Sequence, residues 1–318
     1  MSAVDVVVVG SLNMDFTARA ERMPNLGETV LGDDFATTVG GKGANQAVAA
    51  ARQGVRTALI GCVGNDFIAD RIVEAHQAEG VDLQLTQVPG PSGVAFIAVD
   101  RHGDNRIIVV PLANEALTPE IVRERTEVIS SAKVLLVQLE VPLASVHTAL
   151  QIAKRAGVVT VLNPAPAEAL TDEMLALVDL LVPNETEAAR LTGTDTTTLQ
   201  GCIDAARSLG KRGAGAVLVT RGAAGSVHVQ GSSTLAIPAY AVASVDATAA
   251  GDAFCGGLAA GLSDHTKPLH ETLAGAAACG ALATTTFGAL PSLPRRAEVE
   301  ALFALHGPVV PTPVPGVP

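Results

Sequence analysis

The chain has 318 residues, 48% of them hydrophobic, which allows one large α/β domain or two ordinary ones with a large buried core. Its 21 basic and 32 acidic residues give a net charge of −11, which argues against nucleic acid or an anionic membrane as the main partner but does not exclude a nucleotide. The four cysteines form no C-x-x-C pair, and the first apolar run is not preceded by a basic n-region or followed by a cleavage-like site, so we expect no secretory signal. We therefore expect no disulfide framework, no zinc site and a cytoplasmic location.

The predicted elements alternate between strands and helices from the start of the chain. Short β-branched runs at 4–9 and 57–63 predict strands, and the helical patterns at 44–53 and 66–79 follow them in turn. The same alternation resumes at 134 and continues to a helix of small residues at 251–262. The apolar stretch 273–290 contains mainly Ala, Gly and Thr, which favours a tightly packed core helix over a membrane span. The pattern predicts a doubly wound, mostly parallel sheet with helices on both faces, formed by 1–11, 40–92 and 112–306.

Two segments, 12–39 and 93–111, interrupt this alternation. The first contains short strand candidates at 29–32 and 35–39, and the second resembles a hairpin that turns at His102, Gly103 and Asp104. Together they could form a small antiparallel sheet outside the main layer, used either as a lid over an active site or as a dimer interface. The Pro-rich tail 307–318 is expected to be extended and without a role in chemistry.

Two polar side chains follow the first predicted strand. Asn13 and Asp15 are two residues apart, so in an extended segment they point to the same side, at the sheet edge where ligands bind. An amide and a carboxylate suit vicinal sugar hydroxyls, and the alternative is a pair of Asx side chains that cap a turn. The segment 10–15 is not a G-x-G-x-x-G fingerprint, so a dehydrogenase loses its main support.

A glycine-rich segment with one lysine covers residues 40–46. Gly follows Lys42, so no Walker A motif can be written. The glycines would let the backbone pass close to a ligand, while Lys42 and Asn45 add donors at the start of a helix. A flexible hinge between lid and core is the alternative, and both interpretations can hold.

Acidic and amide groups also follow later strands. Glu140 ends one apolar strand, and Asn184 with Glu187 follows another, which suits a metal or a polar ligand. For Asn184 alone, an N-cap of the following helix is the simpler interpretation.

The segment from Asp246 to Asp252 is the most informative. Its small residues would expose backbone N–H groups at a helix N-terminus, where an anion can bind. A carboxylate at Asp252 is a poor phosphate ligand but is well placed to take a proton from an attacking hydroxyl. The segment by itself fits equally a kinase base and an aspartate that complements the helix dipole.

Together these segments resemble the ribokinase branch of the PfkB carbohydrate kinase family, in order and from about Val6 to Pro294. The resemblance rests on 10–15 (GSLNMD), 40–47 (GGKGANQA), 138–140 (QLE), 163–166 (NPAP), 183–187 (PNETE) and 249–252 (AAGD). It implies a doubly wound α/β core with a β-sheet lid that often pairs with a second subunit's lid, and hence a homodimer.

The resemblance also implies a role for each matched position. Asp252 would be the base that deprotonates the ribose O5 hydroxyl, with Ala249, Ala250 and Gly251 as the anion hole. The sugar would be held by Asn13, Asp15, Gly41, Lys42, Asn45 and Glu140. ATP would be held by Asn184, Thr220, Gly222, Gly225, Gly251 and Ala277, with Glu187 organising Mg²⁺, indirectly. An activating K⁺ would be held by Asp246, Thr248, Ala283, Thr286, Gly288 and Ser292.

Three positions depart from the family pattern: Ala247, Arg221 and Ala277. None of them removes a catalytic group. The leading hypothesis is an ATP-dependent kinase acting on D-ribose. The alternatives are a related kinase for deoxyribose, fructose or a nucleoside, and a non-catalytic sugar-binding regulator.

Overall fold

The computed structural model of the protein describes residues 4–102 and 105–314, so the predicted turn residues Gly103 and Asp104 lie outside the described residues, as do 315–318 of the predicted tail. The strands are β1 (Val6–Val9), β2 (Asn13–Ala20), β3 (Gly32–Gly40), β4 (Thr57–Val63), β5 (Asp82–Gln87), β6 (Gly93–Val99), β7 (Asn105–Val110), β8 (Val134–Val137), β9 (Val159–Leu162), β10 (Leu180–Leu181), β11 (Ala216–Thr220), β12 (Ser226–Gln230), β13 (Ser233–Ile237) and β14 (Thr312–Pro313). The α-helices are α1 (Lys42–Arg52), α2 (Phe67–Ala78), α3 (Pro119–Glu124), α4 (Thr126–Ser131), α5 (Leu143–Ala156), α6 (Asp172–Leu175), α7 (Glu185–Thr192), α8 (Leu199–Lys211), α9 (Ala250–Leu262), α10 (Leu269–Ala283) and α11 (Arg296–His306).

The core sheet has the strand order β14-β13-β12-β11-β10-β9-β8-β1-β4-β5. From β11 to β5 all neighbours are parallel, while β12, β13 and β14 add antiparallel pairs at one edge. The predicted doubly wound, mostly parallel sheet is confirmed. The chain leaves β1 toward β4 on one side and returns to β8 on the other, so the loops after β1 and β8 diverge and leave a crevice at this edge.

Apolar side chains cover both faces of the core sheet, because alternate residues of a strand point to opposite faces. Val6 and Val8 belong to the core shared with α1, α2, α9, α10 and α11, and Val7 and Val9 belong to the core shared with α3, α4, α5 and α8. Small residues bring α9 and α10 close together, since a Cβ at Gly257 would lie 2.6 Å from the sulfur of Cys279. Within the described residues, no helix is long and apolar enough to cross a membrane.

The other four strands form a separate sheet in the order β3-β2-β6-β7, which we call the lid. The predicted lid sheet is confirmed, with mixed pairing: β2 and β6 are parallel, while the two outer pairs are antiparallel. β2 and β6 leave the core at neighbouring points, with Asn13 beside Gly93, and therefore run outward together. β3 and β7 return to the core.

The first part of the Pro-rich tail packs against the core. β14 pairs with β13, and the N–H of Val314 donates to the carbonyl of Thr234 at 3.1 Å. The N–H of Val309 also donates to the hydroxyl of Tyr240 at 2.8 Å. Thr312 and Pro313 thus add a short strand to the core sheet at its antiparallel edge.

Candidate active site

A cavity of about 1040 Å³ lies between the lid and the carboxyl edge of the core sheet. Eleven of the predicted site residues line it: Asn13, Asp15, Gly41, Lys42, Asn45, Glu140, Asp246, Thr248, Ala249, Asp252 and Gly288. The inner face of the lid adds Arg19 and Asp34 to the wall. Polar groups from the lid, from the ends of β1 and β8 and from two helix starts therefore face one space.

Asn13 is held in place by an asparagine that sequence reasoning missed. Asn114 donates to Asn13 Oδ1 at 2.8 Å, accepts from the N–H of Leu12 at 2.9 Å and donates to the carbonyl of Leu12 at 3.2 Å. Asn114 is buried in the short 3-10 helix that follows β7, where the lid returns to the core. It thus ties the two ends of the lid together and fixes the Asn13 amide, whose NH₂ group is left to face a ligand.

The glycine at position 41 allows the lid strand to meet α1 close to the end of β1. Gly41 has a φ of 93°, and a Cβ there would lie 2.9 Å from the backbone of Ser11 and of Asn13. Only glycine adopts this conformation in so little space. The turn brings the N–H of Lys42 within 3.0 Å of Glu140 Oε2, which also accepts from Ser11 Oγ at 2.6 Å. Glu140 therefore links the ends of β1 and β8 to the start of α1.

Asp252 lies in the first turn of α9 and is 6% exposed. Asn45 donates to its Oδ2 at 2.9 Å and Gln46 donates to its Oδ1 at 2.9 Å. Burial raises the pKa of Asp252, while Lys42 and the two amide donors oppose that rise. The carboxylate is therefore a base of increased proton affinity that faces the cavity.

The charged groups around Asp252 shift the pKa values of one another. Burial, followed by repulsion from Glu140 and Asp252, raises the pKa of Asp15 to about 7. Burial disfavours the charged form of Lys42, but attraction to Asp252, Glu140 and Glu187 outweighs it and raises the pKa of the Lys42 ammonium. Burial also raises the pKa of Glu187. Lys42 is therefore a cation at neutral pH, in the midst of four carboxyl groups.

The turn before α9 is strained. Ala249, the N-cap, has a φ of 59° and a ψ of 8°, which non-glycine residues rarely adopt. Within the described chain, no group accepts a hydrogen bond from the N–H of Ala249 or of Gly251, whereas the N–H of Ala250 donates to the carbonyl of Ala247 at 3.2 Å. Two of the three predicted anion-hole groups are thus free, and the third is weakly engaged.

Asp246 organises the loop next to this turn. Its Oδ1 accepts from the N–H and the hydroxyl of Thr248 at 2.9 and 2.7 Å, and its Oδ2 accepts from the N–H of Gly288 at 2.9 Å. Burial tends to raise its pKa, but these donors, with Arg19 across the cavity, outweigh burial and lower it. Asp246 is therefore an anion that joins the α9 turn to the segment after α10.

The predicted nucleotide residues lie outside the cavity, and those that follow β10 and β11 lie farther along the carboxyl edge of the core sheet. Asn184 and Glu187 form a capping box on α7, with Glu187 Oε2 accepting from the Asn184 N–H and Asn184 Oδ1 from the Glu187 N–H, both at 2.8 Å. Asn184 also bridges to Thr220 at the end of β11, where Gly222 and Gly225 form a turn with positive φ. The predicted site residues that do not line the cavity are Ala250, Gly251, Asn184, Glu187, Thr220, Gly222, Gly225, Ala277, Ala283, Thr286 and Ser292.

Three more buried polar residues behind the cavity were not predicted as site residues. Gln46 donates to Asn163 Oδ1 at 3.1 Å as well as to Asp252, and Gln138 donates to Gln46 Oε1 at 2.5 Å. A glutamine inside the apolar run 134–139 was the available signal, because a buried amide needs partners. For Gln46 and Asn163 the sequence gave no such signal, because it does not show toward which neighbours their side chains point.

Comparison with known proteins gives matches over most of the chain. Residues 3–296 match the pfkB family of carbohydrate kinases. The ribokinase of Haemophilus influenzae is 39% identical over 295 residues, 92% of this chain and 96% of that protein, and the deoxyribokinase of Salmonella typhi is 37% identical over 256 residues, 80% of this chain and 84% of that one. The solved structure of Arabidopsis thaliana ribokinase complexed with ribose and ATP has a TM-score of 0.88 at 35% identity, and the match covers 94% of this chain and 98% of that one.

Proposed function

The chain belongs to the pfkB family of carbohydrate kinases, and from this premise we propose that it transfers the γ-phosphoryl group of ATP to the O5 hydroxyl of D-ribose, giving D-ribose 5-phosphate. The observation that carries the proposal is Asp252, a buried carboxylate at a helix N-terminus that opens onto a cavity of polar groups. The Arabidopsis thaliana relative that holds ribose and ATP supports both substrates.

The sugar is assigned to the polar groups at the root of the lid and at the starts of the loops after β1 and β8. These are Asn13, Asp15, Gly41, Lys42, Asn45 and Glu140. Asn45 borders the cavity and its Nδ2 donates to Asp252 Oδ2 at 2.9 Å, so its amide lies beside the proposed base. Asp15 can accept from two neighbouring hydroxyls, because an ionised carboxylate has two acceptor oxygens.

Asp252 acts as the general base. It accepts the O5 proton as O5 attacks the γ-phosphorus, the new O–P bond forms, and the bond from that phosphorus to the β–γ bridging oxygen breaks to release ADP. The N–H groups of Ala249, Ala250 and Gly251 receive the negative charge of the transferring group. Positioning and electrostatics supply most of the rate, and the base contributes about 10²–10⁴-fold.

The nucleotide is assigned to the turn after β11, the α7 capping box and the neighbouring helix starts, through Asn184, Thr220, Gly222, Gly225, Gly251 and Ala277. In a kinase, Mg²⁺ takes one or two carboxylates besides phosphates and water. Glu187, with one oxygen in the capping box, fits an indirect contact. When bound, Mg²⁺ neutralises charge on the phosphates.

A monovalent cation, K⁺, is assigned to the loop beside the anion hole, with Asp246, Thr248, Ala283, Thr286, Gly288 and Ser292. The hydrogen bonds of Asp246 to Thr248 and Gly288 support this assignment, because they hold three of the assigned residues side by side. Carboxylate and backbone carbonyl oxygens suit a cation such as K⁺. A cation there would act on the backbone that begins α9.

A homodimer through the lid is supported by its outer face. Phe16, Phe96 and Ile108 lie opposite one another across β2, β6 and β7, on the face away from the cavity. Phe16 stacks on both Phe96 and Phe35, at centroid distances of 5.6 and 6.4 Å. Phe96, Ile108 and Phe35 are 51, 67 and 63% exposed. An aromatic surface of this kind is typical of a protein–protein contact.

A cytoplasmic location is supported by the cysteines. All four are buried and unpaired, which suits a reducing compartment.

The proposal is tested by coupled ADP release with a panel of sugars, with Mg²⁺ and with or without K⁺. We expect turnover with D-ribose that K⁺ increases. Asp252→Asn should lose about 10²–10⁴-fold in kcat, with sugar binding by calorimetry largely kept. No turnover with any pentose or hexose would exclude the kinase, and faster turnover with deoxyribose would favour the activity named for the Salmonella typhi relative.

A further inference from the structure

A chain of amide groups leads from the core sheet to Asp252. The carbonyl of Val182, just after β10, accepts from Asn163 Nδ2 at 2.9 Å. Asn163 Oδ1 accepts from Gln46 Nε2 at 3.1 Å, and Gln46 Nε2 also donates to Asp252 Oδ1 at 2.9 Å. Gln138 Nε2 donates to Gln46 Oε1 at 2.5 Å. Gln46 and Gln138 are fully buried.

The backbone carbonyl at the beginning of this chain fixes the orientation of every amide in it. A carbonyl only accepts, so Asn163 must turn its NH₂ group toward Val182 and its oxygen toward Gln46. Gln46 must then turn its NH₂ group toward Asn163, and the second N–H of that group reaches Asp252. An amide held in this way can only donate to Asp252.

Gln46 differs from the other donor to Asp252. Asn45 lines the cavity and is assigned to the sugar, whereas Gln46 lies behind Asp252 and does not line the cavity. With one amide on each oxygen, the carboxylate plane cannot rotate without losing a hydrogen bond.

We propose that Gln46 is a positioning residue for the phosphoryl-transfer reaction, holding the Asp252 carboxylate in its reactive orientation and in its ionised form through an amide chain anchored on the Val182 carbonyl. The inference rests on the proposed function, in which Asp252 is the base. Gln46 would act on the chemical step through Asp252 and not on substrate affinity.

Several charged groups besides Gln46 act on Asp252. Lys42 at the start of α1 favours its ionised form, while Glu140 after β8, Asp15 on β2 and Glu187 on α7 disfavour it. On α9 itself, the buried thiol of Cys255 has a pKa raised well above its ordinary value by burial and stays neutral. Gln46 is therefore one of the three groups, with Lys42 and Asn45, that oppose the rise in the pKa of Asp252 caused by burial.

The test is the pH dependence of kcat for Gln46→Leu, measured beside the wild type with whichever sugar the wild type phosphorylates. A lost hydrogen bond to a charged group should move the acidic limb of kcat upward by about one to two pH units. We expect kcat near pH 7 to fall about 10-fold or more and to recover in part as pH rises, with the KM for sugar and MgATP within about 3-fold of wild type.

Two further variants separate positioning from folding. Gln46→Glu keeps the shape of the side chain and should move the acidic limb upward as well, because two adjacent carboxyl groups hold a shared proton. Gln53→Leu removes an amide at the end of α1 that donates to the carbonyl of Pro294 at 2.9 Å, and should leave the pH dependence unchanged. An unshifted acidic limb in both Gln46 variants would overturn the proposal, whereas a wild type inactive on every sugar would overturn the proposed function instead.

Discussion

Asp15 carries a folding cost that replacement by asparagine should remove. The side chain is 7% exposed, and burial with repulsion from Glu140 and Asp252 raises its pKa from 3.8 to about 7. Each pKa unit corresponds to about 1.4 kcal/mol, so an ionised Asp15 destabilises the folded protein by about 4 kcal/mol. Asp15→Asn should recover most of this free energy above pH 7.

The sign of the effect follows from the direction of the shift. Because the folded pKa of Asp15 lies above the unfolded one, the folded state holds more protons between about pH 4 and pH 7, and stability falls as pH rises through that window. We therefore expect Asp15→Asn to stabilise the ligand-free protein by about 4 kcal/mol at pH 8 and by about 1.5 kcal/mol at pH 5.

Urea unfolding of both proteins at pH 5 and pH 8, extrapolated to water, measures this difference. The same stabilisation at both pH values would refute the reasoning, and so would destabilisation at pH 8. Calorimetry with D-ribose should show the opposite effect on function, a loss of affinity of about 100-fold or more, because an amide cannot accept from two hydroxyls as a carboxylate does.

Two other predictions concern the lid face and the packing below it. Phe96→Asp should give a monomer in sedimentation velocity where the wild type is a dimer, whereas Phe67→Asp, on an exposed site of α2, should not; a monomeric wild type would contradict the lid dimer. Gly43→Ala should cost about 1–3 kcal/mol in urea unfolding, because its Cβ would lie 2.5 Å from the carbonyl carbon of Gly10. Gly210→Ala on α8, with nothing within 4 Å of the new Cβ, should instead gain up to about 1 kcal/mol, and equal effects of the two alanines would contradict this explanation.

The core sheet was predictable because its parallel strands are buried on both faces and therefore read as continuous apolar runs. The strands of the lid were harder to predict. Of the strand candidates, 35–39 lies within β3, but 29–32 is wrong except for Gly32. β2 was not predicted, although its residues alternate strictly between polar and apolar, because the polar half lines a cavity and the strand is therefore not a continuous apolar run. β14 contains Pro313, and because proline has no N–H to donate, it is compatible with a strand only at the edge of a sheet.

The site residues at strand ends came together for a simple reason: parallel strands bring their carboxyl ends to one edge, so Asn13, Asp15 and Glu140 meet. Residues that act through other residues were harder to find. Asn114 is 101 residues away from Asn13 in the chain, and its role depends on where the lid returns to the core. Gln46 stands in a recognisable segment, but only the packing of α1 against α9 shows which neighbour its amide reaches.

The lid leaves the core at its root, where Asn13 lies beside Gly93, so the distance from this root sets how far each lid residue would move if the lid rotated there. At about 3.3 Å per residue, Asp15 is about 7 Å from Asn13 along β2, and Arg19 is about 20 Å away. A rotation of 10° about the root would carry Arg19 about 3.5 Å but Asp15 only about 1 Å. Any such rotation would therefore displace the polar groups near the root of the lid much less than those at its distal end.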